Sequence, residues 1–236
     1  MEPHAVARQY ALVFKQLKSE WYCEEPLYTA SAERRAEAEV ARSALAALSA
    51  AALDDVEQRL PFWINIYNGA VVDQAIDMGV ERSIKEVRGF FRRRFLEVAG
   101  MALSLDEIEH GFLRDNRRPP ARLLPPLFFR PQLKKWIAQP FDARIHFALN
   151  CGARSCPPIA VYTPEQIDAQ LDLAAAAFIN AEVVVDEQSR TIHANRILSW
   201  YRADFGEIED WVRRYRDGGL AAGGWKFAWR AYDWSL

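Results

Sequence analysis

The sequence predicts a single α+β domain that is mainly helical and surrounds a small antiparallel β-sheet. Long segments place apolar residues at helical spacing, and short segments alternate apolar residues on either side of turn residues. No internal repeat and no glycine- or serine-rich linker divides the 236 residues. Half of the residues are hydrophobic (50%), so a chain of this length can bury a large core.

The first third of the chain predicts three helices. Residues 6–22 carry one apolar stripe, residues 30–52 are rich in alanine, glutamate and arginine, and residues 59–78 form a third helical pattern. We expect residues 1–52 to form a helical segment packed on a main domain of residues 53–236.

The middle of the chain predicts a hairpin, a helix, a loop and a strand. Residues 94–103 are typical of a β-hairpin, and Ser104-Leu105-Asp106-Glu107 is a capping box that starts a helix. Residues 116–140 contain six prolines and predict a long packed loop with a short helical turn at 132–137. The apolar residues 144–149 predict a strand.

The last third predicts further short elements. A capping box at Thr163-Pro164-Glu165-Gln166 starts a helix, and residues 183–193 predict a second hairpin. Asn195 and Asp204 are expected to cap short helices, and the alternating aromatic residues of 225–236 predict a final strand.

Charge and composition restrict the partners. The chain has 30 basic and 32 acidic residues and a net charge of −2, which disfavours nucleic acid and anionic membranes. No segment approaches the ~20 apolar residues of a membrane span. The polar start, Met1-Glu2-Pro3-His4, lacks the features of a secretory signal, so we expect a cytoplasmic protein. A small molecule or peptide is the expected ligand, no cofactor is predicted, and the oligomeric state is left open.

The segment from Asn150 to Pro158 is the strongest candidate for a working site. It places Cys151 and Cys156 five positions apart in a loop that also contains Gly152. Exposed backbone N–H groups and a nearby arginine favour a thiolate, which is the nucleophilic form of cysteine. The predicted catalytic residue is Cys151. The predicted ligand-binding residues are Asn68, Asn150, Gly152, Arg154, Ser155 and Cys156.

Two histidines are candidates for the base that deprotonates the thiol. His146 lies five residues before Cys151, but on a strand it would share a face with Ala148 and need not point at the thiol. His110 is the second candidate, with Glu109 beside it to orient the ring. Sequential neighbours on a helix do not share a face, so no Glu109–His110 hydrogen bond is implied.

Other interpretations of the same residues stay open. Free cysteines often pack in cores without reacting, and Cys23 is interpreted in this way. Cys151 and Cys156 could form a disulfide, structural or redox-active. Together with His110 and His146 they could also bind zinc, although four residues between the cysteines is at the edge of the usual spacing.

Two further patterns each have a structural and a functional interpretation. Asn65 and Asn68 interrupt an apolar helix, where each amide either ties down a neighbouring loop or orients a catalytic histidine or oxyanion. The run Arg92-Arg93-Arg94 is typical of a solvated loop surface, with an anionic ligand as the alternative.

Several of these motifs, in the same order, resemble the domain of unknown function 547 family. The likeness extends from about residue 53 to the C-terminus and rests on four segments. These are Phe62-Trp63-Ile64-Asn65-Ile66-Tyr67-Asn68, Leu103-Ser104-Leu105-Asp106-Glu107-Ile108-Glu109-His110, Ile145-His146-Phe147-Ala148-Leu149-Asn150-Cys151-Gly152 with Ser155-Cys156-Pro157-Pro158, and Tyr232-Asp233-Trp234-Ser235-Leu236. Some relatives join this domain to glutaredoxin-like or signalling modules, an association that hints at thiol chemistry. Papain-like and transglutaminase-like enzymes place the cysteine before its histidine, and this chain departs from that order.

The sequence therefore favours an enzyme with thiol-dependent acyl-transfer or hydrolase chemistry. Cys151 would attack an acyl or sulfur centre, His110 or His146 would act as base, and Asn65 or Glu109 would orient the base. The alternatives are a ligand- or protein-binding regulatory module without catalysis, and a zinc site at the same residues.

Overall fold

A computed structural model describes residues 1–21, 32–120 and 122–235, without the side chains of residues 20 and 21. The α-helices are α1 Pro3–Trp21, α2 Ala32–Ala46, α3 Ala50–Asp54, α4 Arg59–Asp77, α5 Ile167–Glu182, α6 Arg196–Trp200, α7 Arg202–Phe205 and α8 Ile208–Tyr215. The strands are β1 Leu96–Val98, β2 Met101–Leu103, β3 Val183–Asp186, β4 Thr191–Asn195 and β5 Lys226–Arg230. A π-helix spans Glu107–Leu113, and 3₁₀ helices span Ile84–Glu86, Phe90–Arg92, Pro131–Trp136 and Ala143–Phe147. None of the helices in this described part is both long and apolar enough to cross a membrane.

Helix α4 forms the centre of the fold and is buried on every side from Pro61 to Ala75. Helix α1 packs so closely against it that a Cβ at Gly69 would stand only 2.6 Å from the Tyr10 ring. The Tyr10 hydroxyl also donates to the buried Asp73 carboxylate over 2.7 Å. The first helix therefore shares the core of the main domain, while the boundary between residues 52 and 53 stays a prediction.

The α+β class is confirmed, with two small sheets in place of one. Strands β1 and β2 form the predicted antiparallel hairpin, with Leu96 opposite Leu103. The second sheet has the order β3-β4-β5, in which β3 and β4 are antiparallel but β4 and β5 are parallel. Helices α6, α7 and α8 form the crossover that a parallel pair requires.

Several local predictions are wrong in detail. The segment predicted as a strand at 144–149 is mostly a 3₁₀ helix, because Asp142 accepts from the Arg144 N–H and caps it. The predicted helix 30–52 is interrupted, and Ser49 caps α3 by accepting from the Ala52 N–H. Residues 22–31, including the predicted core residue Cys23, lie outside the described residues.

The proline-rich loop is packed only in part, because Leu127, Leu133 and Trp136 are buried whereas Phe128 and Phe129 are exposed. It contains the 3₁₀ helix Pro131–Trp136, and the Trp136 side chain is buried. The indole of Trp63, on α4, donates to the Trp136 carbonyl over 2.9 Å. The loop is therefore anchored to the central helix.

Candidate functional site

A cavity of about 560 Å³ collects most of the residues that the sequence singles out. It lies where the Cys151–Cys156 loop, the π-helix and the C-terminal tail meet α4 and α6. Its lining residues are Tyr67, Ile84, Lys85, Val87, Gly89, Phe90, Phe91, Arg92, Asp106, Glu109, His110, Pro119, Pro120, Arg122, His146, Leu149, Cys151, Cys156, Ile197, Trp200, Tyr201, Tyr232 and Trp234. Both thiols, both candidate histidines and Glu109 thus face one space, as expected for a single site.

The two thiols are in direct contact. Cys151 and Cys156 are both free and half-buried, and their Sγ atoms lie 2.7 Å apart. The Cys151 backbone N–H donates to Cys156 Sγ over 3.1 Å. The Tyr232 hydroxyl lies 3.1 Å from Cys151 Sγ and 3.0 Å from Cys156 Sγ, so it bridges the pair.

These contacts favour a thiolate at Cys156. Burial alone would raise the pKa of the Cys156 thiol, but hydrogen bonds from Cys151 and Tyr232 and the charge of Lys18 outweigh burial and lower it. The pKa of Cys151 is raised, first by its hydrogen bond to Cys156 and then by burial. The lowered pKa of Cys156 and the raised pKa of Cys151 favour Cys156 as the thiolate of the pair, whereas the sequence pointed to Cys151 as the nucleophile.

The loop owes its shape to Asn150, whose backbone N–H donates to Asn68 Oδ1 over 2.8 Å. Asn150 Oδ1 accepts from the Gly152 N–H over 2.9 Å and from Lys18 Nζ over 2.7 Å. Its amide nitrogen donates to the Pro157 carbonyl at the other end of the loop. Gly152 has φ = +90°, a conformation that favours glycine. Three predicted ligand-binding residues (Asn68, Asn150 and Gly152) thus support the loop and are absent from the cavity lining.

The C-terminal tail is held by the same loop. The Arg154 N–H donates to the Ser235 carbonyl over 2.6 Å, and Ser155 exchanges two bonds with Asp233. These bonds bring Tyr232 to the thiols, while the Arg154 side chain is exposed and outside the cavity lining. Ser155 lines a second cavity of about 460 Å³ beside α5, which also includes Cys156.

Glu109 lies on the π-helix and accepts two tyrosine hydroxyls. Tyr67 and Tyr201 each donate to a different Glu109 carboxylate oxygen over 2.7 Å. The predicted capping box forms, because Ser104 and Glu107 exchange backbone and side-chain hydrogen bonds. The following turns are wider than in an α-helix, as in the bond from the Arg114 N–H to the Glu109 carbonyl.

The histidines are engaged by other protein groups. Arg114 donates to His110 Nδ1 over 2.9 Å, so the proton of the neutral ring is on Nε2. His110 Nδ1 lies 3.6 Å from Glu109 Oε1, too far for a hydrogen bond. Burial lowers the pKa of His110 to about 4. His146 Nε2 lies 2.8 Å from Asp204 Oδ2, and burial lowers the pKa of His146 as well.

Neither histidine is hydrogen-bonded to a thiol in the described part of the chain. The His146 ring stacks on Tyr201 with 3.9 Å between ring centroids. The histidines thus share the cavity with the thiols without forming a thiol–imidazole pair.

Asp204 anchors the histidine side of the cavity. Its carboxylate accepts from Arg114 Nε over 2.6 Å, from Arg117 over 2.8 Å and from His146, and its side chain is 1% exposed. Burial would raise the pKa of Asp204, but His146 and the two arginines outweigh burial and lower it. The prediction that Asp204 caps a helix is wrong, since it lies inside α7 and no side chain caps α8.

Asn65 belongs to the scaffold. Its amide donates to the Tyr162 carbonyl over 2.8 Å and accepts from the Tyr162 N–H over 2.9 Å. It makes no hydrogen bond to either histidine and is absent from the cavity lining. The structure thus places Asn65 in the loop-tying role that the sequence left open.

The zinc alternative lacks a set of ligands. Within residues 1–21, 32–120 and 122–235, no three histidine, cysteine or acidic side chains are grouped so that they could hold a metal ion. The two thiols provide only two donors, and the His146 ring is turned to Asp204.

Three tyrosines and a lysine of the site escaped the sequence analysis. Tyr67 lies between the two asparagines of the α4 motif, and Tyr232 lies in the motif at the C-terminus. Tyr201 and Lys18 carry no local signal, because their partners are distant in the sequence.

The central part of the chain matches a known family, whereas curated proteins and solved structures give no significant match. The sequence model of the family described as "Protein of unknown function, DUF547" matches residues 51–179, more than half of the chain. That range holds both thiols, both histidines and Glu109, but it ends before Tyr201 and the C-terminal motif, and Lys18 precedes it. The protein therefore belongs to the DUF547 family.

Proposed function

We propose that the protein is a thiol-dependent enzyme whose nucleophile is the Cys156 thiolate. The observation that carries this proposal is the convergence of three donors on one sulfur. The Cys151 N–H, the Cys151 thiol and the Tyr232 hydroxyl all lie within 3.1 Å of Cys156 Sγ. Donors that stabilise the charged form of a thiol lower its pKa and increase the fraction of nucleophile at neutral pH.

The substrate would be a small molecule or peptide with an acyl or sulfur centre, bound in the cavity. At an acyl centre, Cys156 Sγ forms a bond to the carbonyl carbon as the bond to the leaving group breaks. The leaving group takes a proton from Cys151, and water or another acceptor then releases the acyl group. At a disulfide, Cys156 forms a mixed disulfide and releases one thiol. Cys151 then attacks Cys156 and releases the second thiol, and the substrate is the oxidant.

In this proposal Glu109, His110 and His146 are positioning residues. Glu109 holds Tyr67 and Tyr201, and His146 stacks on Tyr201, so these groups define the wall opposite the thiols. General acid–base work falls to Cys151 and Tyr232, because their side chains hydrogen-bond to Cys156 Sγ in the described part of the chain.

Alkylation with iodoacetamide tests the proposal. In a Cys23→Ser background we expect the protein to lose one thiol rapidly at neutral pH, with peptide mapping placing the label on Cys156. Because the pKa of Cys156 is lowered, the labelling rate should reach half of its maximum below the pH of an ordinary thiol, about 8.5. Cys156→Ser should slow labelling about tenfold or more, and Cys151→Ser should leave a fast thiol. Preferential labelling of Cys151, or labelling no faster than that of glutathione, would falsify the proposal.

A binding module without catalysis is the second candidate, and one observation favours it. One nitrogen of each histidine is engaged by a protein group, and among the described residues no hydrogen bond joins an imidazole to a thiol. In that case both cysteines should alkylate slowly, and the Cys151→Ser/Cys156→Ser variant should bind ligand as tightly as the natural protein.

A further inference from the structure

We propose that the cavity binds an apolar molecule with a single anionic group, a carboxylate or a phosphate, held at Arg92. This inference names the ligand class for the site proposed above. It rests on the proposed function only where it places the ligand next to Cys156.

The body of the cavity is apolar and aromatic. Phe90 and Phe91 come from the 3₁₀ helix Phe90–Arg92, Trp200 ends α6, and Trp234 belongs to the C-terminal tail. A volume of about 560 Å³ lies within the range of sites for small organic molecules. These walls offer contact area to an aliphatic or aromatic group but few hydrogen bonds.

The charged side chains that line the cavity differ in their burial and in their hydrogen-bond partners. Of the two carboxylates, Asp106 accepts from Arg122 over 2.6 Å, and Glu109 accepts two tyrosine hydroxyls. The carboxylates are buried, whereas the cationic side chains that line the same cavity are exposed. The cavity therefore has its carboxylates inside and its cationic side chains at the solvent side, and burial raises the pKa of Asp106 to about 7 in spite of Arg122 and Arg92.

Arg92 is the cation left for a ligand. Its side chain is exposed and its guanidinium makes no hydrogen bond or close ion pair with any residue that the structure describes, although its charge acts on the Asp106 carboxylate from a greater distance. Lys85 also lines the cavity, with its ammonium over the Trp234 ring at 4.3 Å from the centroid. The whole chain has a net charge of −2, so this local positive charge is not a general property of the surface. A guanidinium matches the geometry of carboxylate and phosphate groups.

The segment of residues 83–92 connects Arg92 to the C-terminal tail that reaches the thiols. Gly89 has φ = +79°, and a Cβ there would lie 3.5 Å from the Arg92 guanidinium. Ser83 Oγ, at the start of this segment, donates to the Trp234 carbonyl over 2.8 Å. The same tail carries Tyr232 to Cys156, and Arg92 and Cys156 line the same cavity, so a ligand anchored at Arg92 has its apolar part in the space that the thiols border.

Three probes with one alkyl chain test the ligand class. We expect octanoate and octyl phosphate to bind more tightly than octanol, as measured by tryptophan fluorescence and calorimetry. Arg92→Ala should weaken the two anions about tenfold, which corresponds to about 1.4 kcal/mol, and should leave octanol unchanged. Arg93→Ala is the matched control, because Arg93 is the exposed neighbour that does not line the cavity. Equal binding of octanol and octanoate, equal effects of the two variants, or no binding of any probe would overturn the inference.

A second measurement separates this inference from the proposed function. Octanoate should bind the Cys151→Ser/Cys156→Ser variant and should protect Cys156 of the natural protein from iodoacetamide. Slow alkylation with intact octanoate binding would refute the thiol enzyme and leave the anion site standing. Octanoate binding without protection of a fast thiol would refute the placement of the ligand beside Cys156.

Discussion

The two sides of the cavity hold their reactive groups, thiols on one side and imidazoles on the other, in opposite ways. On the thiol side, two half-buried sulfurs contact each other and one tyrosine hydroxyl, and backbone hydrogen bonds shape their loop. On the histidine side, His146 and Arg114 converge on the buried carboxylate of Asp204. One nitrogen of each imidazole is thus engaged by a protein group, Arg114 for His110 and Asp204 for His146, while the sulfurs border the cavity.

The difference shows which groups are available to a ligand. A buried network of charges loses much stability when one member is removed, because the remaining charges stay desolvated. The Cys156 thiolate is supported mainly by the hydrogen bonds of Cys151 and Tyr232, with a smaller contribution from the charge of Lys18, so removing one of these groups affects the thiolate more than the fold. We therefore expect damage on the histidine side to lower stability and damage on the thiol side to lower reactivity.

The largest expected effect is the loss of stability when Asp204, on the histidine side, is replaced. Asp204→Ala leaves Arg114, which is 5% exposed, and His146 without their shared acceptor. We expect the free energy of unfolding to fall by about 3–5 kcal/mol, as measured by urea denaturation. Asp210→Ala is the control: Asp210 pairs with Arg213 on the surface of α8, and its loss should cost at most about 1 kcal/mol. Similar losses in the two variants would contradict the contrast between the two sides.

The next effect concerns the thiol side alone. Tyr232→Phe removes a hydroxyl that stabilises the Cys156 thiolate, so the pKa of Cys156 should rise by about one unit. Less thiolate then exists at pH 7, and iodoacetamide labelling of Cys156 should slow about fivefold. Tyr215→Phe removes a hydroxyl bonded to Asp172 outside the cavity and should leave the rate unchanged. A pH midpoint that stays in place in Tyr232→Phe would mean that the hydroxyl does not act on the sulfur.

The fold was predictable wherever the signal was local. The stripe of α1, the apolar run of α4, the Ser104–Glu107 capping box and both hairpins depend on residues near each other in the chain. The errors arise where other contacts decide. A side-chain cap at Asp142 outweighs the strand preference of 144–149, and the parallel register of β5 depends on a crossover of three helices.

The sequence pointed to part of the cavity lining but not to its contacts. The thiols, the histidines and Glu109 do line one cavity, although the strand predicted for His146 did not require it to face Cys151. The sequence could not pair His146 with Asp204, which lies 58 residues away. Nor could it bring in Lys18, whose bond to Asn150 spans 132 residues.

Lys18 supplies the smallest and most specific test of the comparison. Its ammonium is 6% exposed and lies 2.7 Å from Asn150 Oδ1, at the base of the thiol loop. Its positive charge lowers the pKa of Cys156 after the hydrogen bonds of Cys151 and Tyr232, so its effect should be smaller than that of Tyr232. In Lys18→Met we expect the labelling midpoint to move to higher pH and the rate at pH 7 to fall about threefold. Lys15→Met, on the exposed face of the same helix, should leave the profile unchanged.

If Lys18→Met slows labelling without moving the midpoint, the lysine shapes the loop through Asn150 and its charge is not part of the thiolate site. If the midpoint moves, a residue outside the part of the chain that matches the family sets the reactivity of a thiol inside it.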